Sequence, residues 1–402
     1  MLKVLIIGFV WPEPNSSAAG KRMLQLINSF LNEKFQIVFA TQAQESDFAF
    51  KLSEINVETH KIYVNDSSFD SFVKKLNPSI VLFDRFIMEE QFGWRVAEQC
   101  PNALRILDTE DLHFLRKERQ QQINQPEADV SFSEIAKREI ASIYRCDLNL
   151  IISEFEMDLL VSNYQVPKEQ LFYLPMWSES ISDFNTFSER THFMFIGNFM
   201  HEPNWDCIRY LKTEIWPSIR KNLKNIELHI YGAYPSEKVF QLNNEKEGFI
   251  VKGRADDVNE ICQYYRLMLA PLRFGAGVKG KFIDAMRNGL PSITTTIGAE
   301  SMIETSCWPG FVSNNMYEII SESIKIYTNE EYWNDLSSSA ISIHNDKFTV
   351  QNWPILFIEK VKDYQKNIKI IRQRNFTGAM LMHHTLQSTK FMSKWIELKN
   401  KP

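Results

Sequence analysis

The sequence predicts an α/β protein made of two doubly wound domains and a helical C-terminal extension. Two observations carry this prediction. Short, strongly apolar segments alternate with helical patterns, and the alternation restarts after a polar segment near the middle of the chain. Strands this apolar are typical of parallel sheets covered on both faces, and strand–helix alternation favours the doubly wound arrangement. The chain of 402 residues is long enough for two or three domains.

The first domain is predicted to span residues 1–184. Apolar segments that predict its strands lie at residues 4–10, 37–41, 80–84, 106–108 and 148–153, and helical patterns lie at 21–31, 90–99 and 134–144. The first apolar segment could be mistaken for a signal peptide. It is short, its only basic residue is Lys3, and no small-residue cleavage site follows, so a buried strand is the better interpretation.

The second domain is predicted to span residues 190–352. Its strands are predicted at 192–197, 226–231, 249–251, 268–272 and 292–295, with helices at 204–219, 258–265, 282–287 and 316–328. The polar, aperiodic segment DFNTFSER at 183–190 is interpreted as the linker. Two such domains imply a cleft between them, and ligands of these folds bind at the carboxyl edges of the sheets.

Composition excludes several classes of protein. A net charge of −5 argues against a dedicated nucleic-acid binder. Five scattered cysteines without a CxxC pair argue against a disulfide framework and fit a reducing compartment. No Cys and His spacing typical of a metal site is present, so we expect no metal. No apolar segment reaches the ~20 residues of a transmembrane helix.

The most informative segment is RFGAGVKGKFIDAMRNGLPSITTTIGAE, a predicted strand–loop–helix. Its glycines and lysines are Gly275, Gly277, Gly280, Lys279 and Lys281. Glycines let a backbone approach a ligand closely, free N–H groups at a helix start favour an anion, and lysines add positive charge. The loop could therefore hold a diphosphate. The same pattern also fits an ordinary βα loop with solvated lysines.

The tail, residues 353–402, is rich in lysine and arginine, with apolar residues at helical spacing. One interpretation is a helical segment that packs back on the first domain with its basic face in water. The other is peripheral binding to anionic lipid, which a basic amphipathic segment also permits.

These motifs together make the chain resemble glycosyltransferase family 4, whose members have the GT-B fold. The resemblance is strongest over 193–300, in FMFIGNFMHEPNWDCIRYL, ELHIYG and the glycine-rich segment. It implies two Rossmann-like domains facing each other across a cleft, in the subgroup with a GAGVKGK loop. It also implies retaining transfer of a sugar from a nucleotide-diphosphate sugar to a glycan or lipid-linked acceptor, as in surface polysaccharide biosynthesis. A cytoplasmic protein, at the inner face of the membrane if its tail binds lipid, is then expected, without a metal or other cofactor.

The resemblance assigns a donor-binding set in the second domain. These residues are Gly197, Asn198, Arg273, Gly275, Gly277, Val278, Lys279, Gly280, Lys281, Asp284 and Glu300. The family motif Glu-x7-Glu places its ribose-binding carboxylate on Asp284 and its first carboxylate on Ala276, where none is present. Many members carry Arg and Lys after the first strand of this domain; here Asn198 and His201 stand there. We expect Lys279, Lys281 and Arg273 to replace that charge, although Arg273 could instead pair with a nearby carboxylate.

In the first domain, the segment DTEDLHFLR follows a predicted strand. Asp108, Glu110 and His113 are the candidate catalytic residues, because the family often has a histidine at this strand end. The alternative is an acid-rich helix N-terminus. The loop with Ser17, Ala18 and Gly20 could bind an acceptor or a phosphate, or it could simply cap a helix.

Two alternatives to a transferase remain at this point. The departures at Ala276 and Asn198 also fit a non-catalytic GT-B protein that serves as a binding or partner subunit of a glycan assembly complex. A nucleotide-sugar epimerase, which acts without an acceptor, is a third interpretation. Asp256 and Asp257 precede a predicted helix and are interpreted as a helix cap, not as a metal-binding pair.

Overall fold

The computed structural model describes residues 2–126, 132–349 and 352–399. The first domain is built on a seven-stranded parallel sheet. Its strands are β1 Lys3–Gly8, β2 Gln36–Thr41, β3 Glu58–Lys61, β4 Ile80–Asp84, β5 Leu104–Asp108, β6 Leu148–Ile151 and β7 Leu171–Tyr173. Their spatial order, 3-2-1-4-5-6-7, is that of a doubly wound sheet. The predicted α/β class and the doubly wound architecture are confirmed.

Helices cover both faces of this sheet. They are α1 Ala18–Asn32, α2 Ser68–Leu76, α3 Phe86–Gln99, α4 His113–Asn124, α5 Glu134–Arg145 and α6 Glu154–Ser162. Three strands escaped the sequence analysis: β3 and β7 of this sheet, and the strand Gly310–Val312 of the second domain. All four residues of β3 are exposed, so the strand lacks the apolar pattern that marks a buried strand.

The second domain is built on a six-stranded parallel sheet in the spatial order 10-9-8-11-12-13. Its strands are β8 Thr191–Ile196, β9 Leu228–Tyr231, β10 Phe249–Gly253, β11 Tyr265–Leu269, β12 Ser292–Thr294 and β13 Gly310–Val312. The prediction was wrong at one boundary, because Tyr265 begins β11 and does not end a helix. Tyr265 pairs with Thr191 of β8, and such pairing between distant segments is invisible to local periodicity.

Helices flank the second sheet as well. They are α7 Glu202–Tyr210, α8 Trp216–Asn222, α9 Glu237–Phe240, α10 Val258–Cys262, α11 Gly280–Arg287, α12 Thr296–Ala299, α13 Met316–Thr328 and α14 Glu330–Ile343. A π-helical segment, Leu211–Ile215, joins α7 to α8, where the sequence predicted one uninterrupted helix. Asp257 caps α10 by accepting a hydrogen bond from the Asn259 backbone, as expected for this acidic pair.

The tail forms three helices that lie on the first domain: α15 Trp353–Lys366, α16 Ile368–Arg374 and α17 Phe376–Lys399. Phe357 and Val361 of α15 are buried in the apolar core of the first domain, and the Phe357 ring meets Phe30 of α1 edge-on at 5.2 Å. The last three residues of the predicted tail, 400–402, lie outside the described residues. None of the described helices is both long and apolar enough to cross a bilayer.

The carboxyl ends of the two sheets face each other across a narrow cleft. The loop after β1 meets the loop after β8, where Asn198 Nδ2 lies 3.5 Å from the Ser16 carbonyl oxygen. The loop after β6 meets the segment after α12 through a 2.8 Å hydrogen bond between the Ser153 and Ser301 hydroxyls. The cleft therefore opens at the edge where doubly wound sheets bind ligands.

Candidate functional site

The glycine-rich loop between β11 and α11 lies against the first domain. Gly277 has a φ of +62°, and a Cβ built on it would lie 2.8 Å from the Cβ of Asp111. A Cβ on Gly280 would lie 2.9 Å from the Cβ of Ala18. Both separations are too short for real carbon atoms, so these glycines allow the two domains to approach each other at the cleft.

Of the two lysines of this loop, Lys279 is buried and Lys281 is partly buried. Lys279 Nζ donates to the Gly277 carbonyl oxygen at 2.8 Å, and Lys281 Nζ donates to Asn204 Oδ1 at 2.6 Å. Burial lowers the pKa of each ammonium to about 8. Both hydrogen-bond acceptors are neutral oxygens, so each ammonium keeps a charge that an anionic ligand could neutralise. Lys279 is therefore not solvated, although the interpretation as an ordinary loop had expected it to be.

Two helix N-termini point into this part of the cleft. The contact between Ala18 and Gly280 brings the first turn of α1 next to the first turn of α11. Neither first turn contains an acidic residue, and Lys279, the N-cap of α11, makes no side-chain capping bond. Unpaired N–H groups at a helix start carry partial positive charge, so both termini favour an anion.

Both predicted donor-binding carboxylates are held by cations of the first domain. Lys21 Nζ donates to the two carboxylate oxygens of Asp284 at 2.8 and 2.9 Å. Arg119 binds both oxygens of Glu300 at 2.8 Å and also donates to the Gly275 carbonyl oxygen at 2.8 Å. The sequence analysis missed Lys21 and Arg119, because only the fold brings α1 and α4 to the second domain.

Glu156 forms a further cross-domain contact that the sequence analysis missed. Its Oε1 accepts hydrogen bonds from the backbone N–H of Leu112 at 3.1 Å and of Gly277 at 2.7 Å. Its Oε2 is buried and has no hydrogen-bond partner in the described part of the chain. Burial raises the pKa of this carboxyl to about 7. Locally, Ser153 and Glu156 have the sequence pattern of a capping box, which hides any role beyond helix α6.

Of the predicted catalytic carboxylates, Asp108 is neutralised by a buried arginine. Arg22 Nε donates to its two oxygens at 2.9 and 3.1 Å, and both side chains are almost completely buried. Removing a carboxylate from such a pair leaves an unpaired buried charge, which is strongly destabilising. Asp108 therefore orients Arg22 below the cleft and does not offer a free base.

Glu110 differs from Asp108 because its carboxyl is not paired. The residue has a φ of +62° immediately after β5 and its side chain is buried. Its Oε1 has no hydrogen-bond partner among the described residues. Burial, together with the nearby charge of Asp108, raises the pKa of Glu110 to about 8, so the carboxyl is mostly protonated at neutral pH. A buried carboxylic acid with an unused oxygen can donate or accept a proton in a cleft.

His113 begins α4 and lies at the edge of the same cleft. Its Nε2 is 3.6 Å from a carboxylate oxygen of Asp111, which also contacts Arg116. Burial lowers the pKa of His113 to about 4, so the imidazole is neutral at pH 7. Its backbone N–H donates to Glu139 Oε1 at 3.1 Å, so a glutamate of α5 accepts a hydrogen bond from a free N–H group in the first turn of α4. The first turn of α4 itself contains no acidic residue, so the alternative of an acid-rich helix start is not what the structure shows.

In the predicted phosphate or acceptor loop, Ser17 and Gly20 take part in helix capping and packing. Ser17 Oγ accepts a hydrogen bond from the Gly20 N–H at 3.0 Å and caps α1, which is the capping alternative. A Cβ on Gly20 would lie 2.4 Å from the Glu13 backbone, so this glycine is needed for packing. Ser16, the preceding residue, has a buried hydroxyl without a partner in the described residues and faces this loop.

Three other predicted donor-binding residues make structural contacts around the site. Arg273 forms an ion pair with Asp206 of α7 and stacks over Tyr210 at 5.0 Å, so the pairing alternative is correct for this residue. A Cβ on Gly197 would lie 2.5 Å from the Asn204 side chain, and Val278 packs against the core of the second domain. Asn204, which the sequence analysis did not single out, thus orients both the β8 loop and Lys281.

One cluster of side chains has a composition suited to a metal ion. His192, Glu227 and His229 offer ligand atoms within 4.8 Å of one another. They lie at the beginning of β8 and β9, at the edge of the sheet opposite the cleft. Their polar atoms are already engaged: His229 Nε2 lies 2.7 Å from Glu227 Oε2, and His192 Nδ1 accepts from the Glu227 backbone.

The chain is similar to known proteins at two levels. Its second domain matches a sequence family, and its two domains together match the fold of solved structures. Residues 190–328 match the family model described as glycosyl transferases group 1. An uncharacterized 44.6 kDa protein in the cps region of Klebsiella pneumoniae is 22% identical over 254 residues. That match covers 60% of this chain and 56% of the relative, so it spans little more than half of the relative's length.

Solved structures resemble the chain over nearly its full length. A mutant of S. aureus TarM in complex with Fondaparinux, alpha-GlcNAc-glycerol and UDP has a TM-score of 0.69 at 10% identity, covering 91% of this chain and 100% of that one. Sucrose-phosphate synthase from Thermosynechococcus elongatus gives 0.71 at 12% identity, with 90% and 99% covered. Anabaena HepE in complex with UDP-glucose gives 0.65 at 11% identity, with 90% and 100% covered.

Identities this low establish the fold alone, and the fold is that of two facing Rossmann-like domains. The match to the family model covers the six-stranded domain almost from its first strand to the end of α13. Residues 190–328 are thus similar to the group 1 glycosyltransferases, and the two domains together have the GT-B fold.

Proposed function

We propose that the protein transfers a sugar from a nucleotide-diphosphate sugar to a glycan or lipid-linked acceptor, with retention at the anomeric carbon, in surface polysaccharide biosynthesis. The donor diphosphate binds at the start of α11, beside the start of α1. The observation that carries this proposal is the pair of ammoniums of Lys279, which is buried, and Lys281, which is partly buried, each hydrogen-bonded to a neutral oxygen. The complexes of TarM with UDP and of HepE with UDP-glucose support a uridine nucleotide as the first donor to test.

Negative charge develops on the diphosphate as the sugar leaves. Lys279, Lys281 and the N–H groups at the start of α11 stabilise that charge where water is largely excluded. Hydrogen-bond donors that are already oriented stabilise a developing charge more than water does, because they need not reorient. This charge replaces a metal ion in the proposed reaction. Asp284 binds the ribose hydroxyls of the donor, after release from Lys21.

In the first domain, we propose that the protonated carboxyl of Glu110 contacts the transferred sugar or the acceptor hydroxyl. Its raised pKa and its unused Oε1 support this role. His113 stays neutral at pH 7 and can accept a hydrogen bond from a hydroxyl group. Cytoplasmic location follows from the proposed donor, since nucleotide sugars are made there, and the unpaired state of the cysteines Cys100, Cys146, Cys207, Cys262 and Cys307 agrees with a reducing compartment.

Two observations favour a non-catalytic role. Lys21 and Arg119 occupy the two carboxylates that a donor would use, and Ala276, where the family motif has its first carboxylate, is buried. A partner subunit that binds a nucleotide without turnover would have such a site. Donor binding and sugar transfer must therefore be measured separately.

The first experiment is a thermal-shift screen with UDP, GDP, CDP, ADP and their common sugar conjugates. A ligand at a hundred times its dissociation constant stabilises the native state by about 2.7 kcal/mol. The second measures nucleotide release from the best sugar conjugate, with and without an acceptor extract. Release that requires the acceptor supports a transferase, release or sugar conversion without an acceptor points to an epimerase, and binding without release points to a partner subunit. No thermal shift with any nucleotide would overturn the proposal.

A further inference from the structure

Several large apolar side chains are exposed on the outer face of α17, which is unusual for a surface helix. Met380, Phe391, Trp395 and Leu398 have exposed fractions of 47%, 62%, 58% and 67%. At 3.6 residues per turn these four side chains lie on one side of the helix, and we call them the outer stripe. A helix packed on a globular domain normally turns its apolar side inward and its polar side to water.

The inner face of α17 is held to the first domain by polar contacts. Arg95 of α3 is buried and donates to Ser393 Oγ at 3.0 Å and to Glu397 Oε1 at 2.9 Å. Lys390 pairs with Glu98 on the same helix of the first domain. Near the start of α17, a Cβ on Gly378 would lie 2.2 Å from the Tyr144 carbonyl oxygen, so the helix lies directly on α5. These contacts leave the outer stripe facing away from the protein.

The charges beside the outer stripe are positive. Lys394 and Lys399 are exposed on either side of it, and the ammonium of Lys399 lies 5.3 Å from the Trp395 ring. The acidic residue of this segment, Glu397, is turned inward, where it shares Arg95 with Asp70 of the first domain. On the neighbouring helix α16, Lys369 and Arg374 are exposed as well.

We propose that the outer stripe of α17 is a docking surface for an anionic lipid bilayer, into whose interface Phe391, Trp395 and Leu398 insert. Apolar side chains flanked by lysines, with a tryptophan among them, match the apolar interior and the negative headgroups of such a surface. A second copy of the chain fits less well. A symmetric contact through the stripe would bring Lys394 and Lys399 of the two copies together, and like charges repel.

This surface is independent of the proposed transfer reaction, because it lies on the tail and not on the cleft. It would hold the first domain, which carries the proposed acceptor side, against the membrane. A lipid-linked acceptor and the protein would then diffuse on the same membrane surface, which raises their rate of encounter. Docking would not raise the rate of encounter with a soluble glycan.

The experiment is co-sedimentation of the full chain with vesicles of phosphatidylcholine alone and of phosphatidylcholine mixed with phosphatidylglycerol. We expect binding to the mixed vesicles that weakens as salt is raised. Trp395→Gln with Leu398→Gln should abolish it. Lys394→Gln with Lys399→Gln should weaken it roughly fivefold per lysine, since one lysine near an anionic surface contributes about 1 kcal/mol.

Matched controls replace exposed aromatic side chains and exposed lysines on the second domain. Tyr317→Gln with Phe240→Gln removes exposed aromatic side chains there, and Lys221→Gln with Lys224→Gln removes exposed lysines. Both controls should bind vesicles like the wild type. Thermal unfolding and nucleotide binding, measured on every variant, should not change, so a failure of docking is separable from a failure of donor binding.

Three outcomes would overturn the proposal. The first is a wild-type protein that does not sediment with the mixed vesicles. The second is a Trp395→Gln, Leu398→Gln variant that binds them as well as the wild type. The third is a wild-type dimer, seen by sedimentation velocity, that this variant dissociates while no vesicle binding occurs, which would assign the stripe to a second copy.

Discussion

Lys21 of the first domain and Asp284 of the second form an ion pair across the cleft, with Nζ 2.8 and 2.9 Å from the two carboxylate oxygens. The side chains are only 32% and 16% exposed, so solvent screens the pair incompletely. Together with Arg119 and Glu300, it holds the two domains in a closed arrangement. A nucleotide that uses Asp284 must first displace Lys21.

The first prediction concerns this closure. In Lys21→Met with Arg119→Met, both cross-cleft pairs are lost while the apolar parts of the side chains are kept. Partly exposed pairs contribute about 1 kcal/mol each at most, so the closed state should lose roughly tenfold in population relative to open states. Small-angle scattering of the ligand-free protein should show a larger radius of gyration.

The control for this experiment is Lys325→Met with Lys362→Met, whose ion pairs with Glu322 and Glu33 do not cross the cleft. Its scattering should match that of the wild type. An unchanged radius of gyration in the cross-cleft variant would show that the ion pairs do not hold the domains together.

The second prediction concerns the two lysines of the glycine-rich loop. Lys279→Ala with Lys281→Ala should weaken binding of a nucleoside diphosphate by on the order of a hundredfold, because hydrogen bonds to charged groups contribute about 1.5–3 kcal/mol each. Binding of the nucleoside without phosphates should not change. Isothermal titration gives both values, and Lys221→Ala with Lys224→Ala is the matched control. Equal affinity for the diphosphate in wild type and double variant would remove these lysines from the site.

The third prediction concerns pH. The pKa of Glu110 is about 8 in the folded protein and near 4.5 when the chain is unfolded, so the native state binds more protons between these values. The stability that Glu110 contributes is complete below pH 4.5 and is lost as the pH rises through 8. Glu110→Gln should therefore show a smaller fall in the free energy of unfolding over this window.

Urea denaturation at a series of pH values measures this difference. One proton of difference corresponds to a slope of about 1.4 kcal/mol per pH unit, which the glutamine variant should lose. The exposed Glu58→Gln should keep the wild-type slope. A slope in Glu110→Gln identical to that of the wild type would contradict a protonated Glu110 in the native state.

The fourth prediction uses two glycines with similar backbones and different surroundings. Gly277 and Gly253 have φ values of +62° and +77°, so alanine at either position is strained by about 1–2 kcal/mol. A Cβ at Gly253 meets nothing within 4 Å, whereas one at Gly277 would lie 2.8 Å from the Asp111 Cβ. Gly277→Ala should thus be destabilised more than Gly253→Ala, and only Gly277→Ala should open the cleft. Equal losses of stability in urea would mean that the contact with Asp111 yields easily.

The order of the elements could be read from the chain because buried parallel strands leave a local signal. The core strands β1, β4, β6 and β8 are short and apolar, and the helices between them carry their apolar residues at helical spacing. Elements without such a pattern could not be predicted, and the exposed strand β3 is an example. The end of α10 was misplaced because Tyr265 owes its strand conformation to β8, a distant segment.

The sequence by itself determined the two doubly wound domains and the glycine-rich loop with its two lysines, because these depend on residues close together in the chain. Only the tertiary structure decided whether each charged side chain is buried, paired or protonated. Folding placed Lys279 and Lys281 beside neutral oxygens and paired Asp284 with Lys21. It also neutralised Asp108 with Arg22 and raised the pKa of Glu110 to about 8. The physical reason is that burial and charge pairing act through space between residues far apart in the chain, and local sequence does not encode those distances.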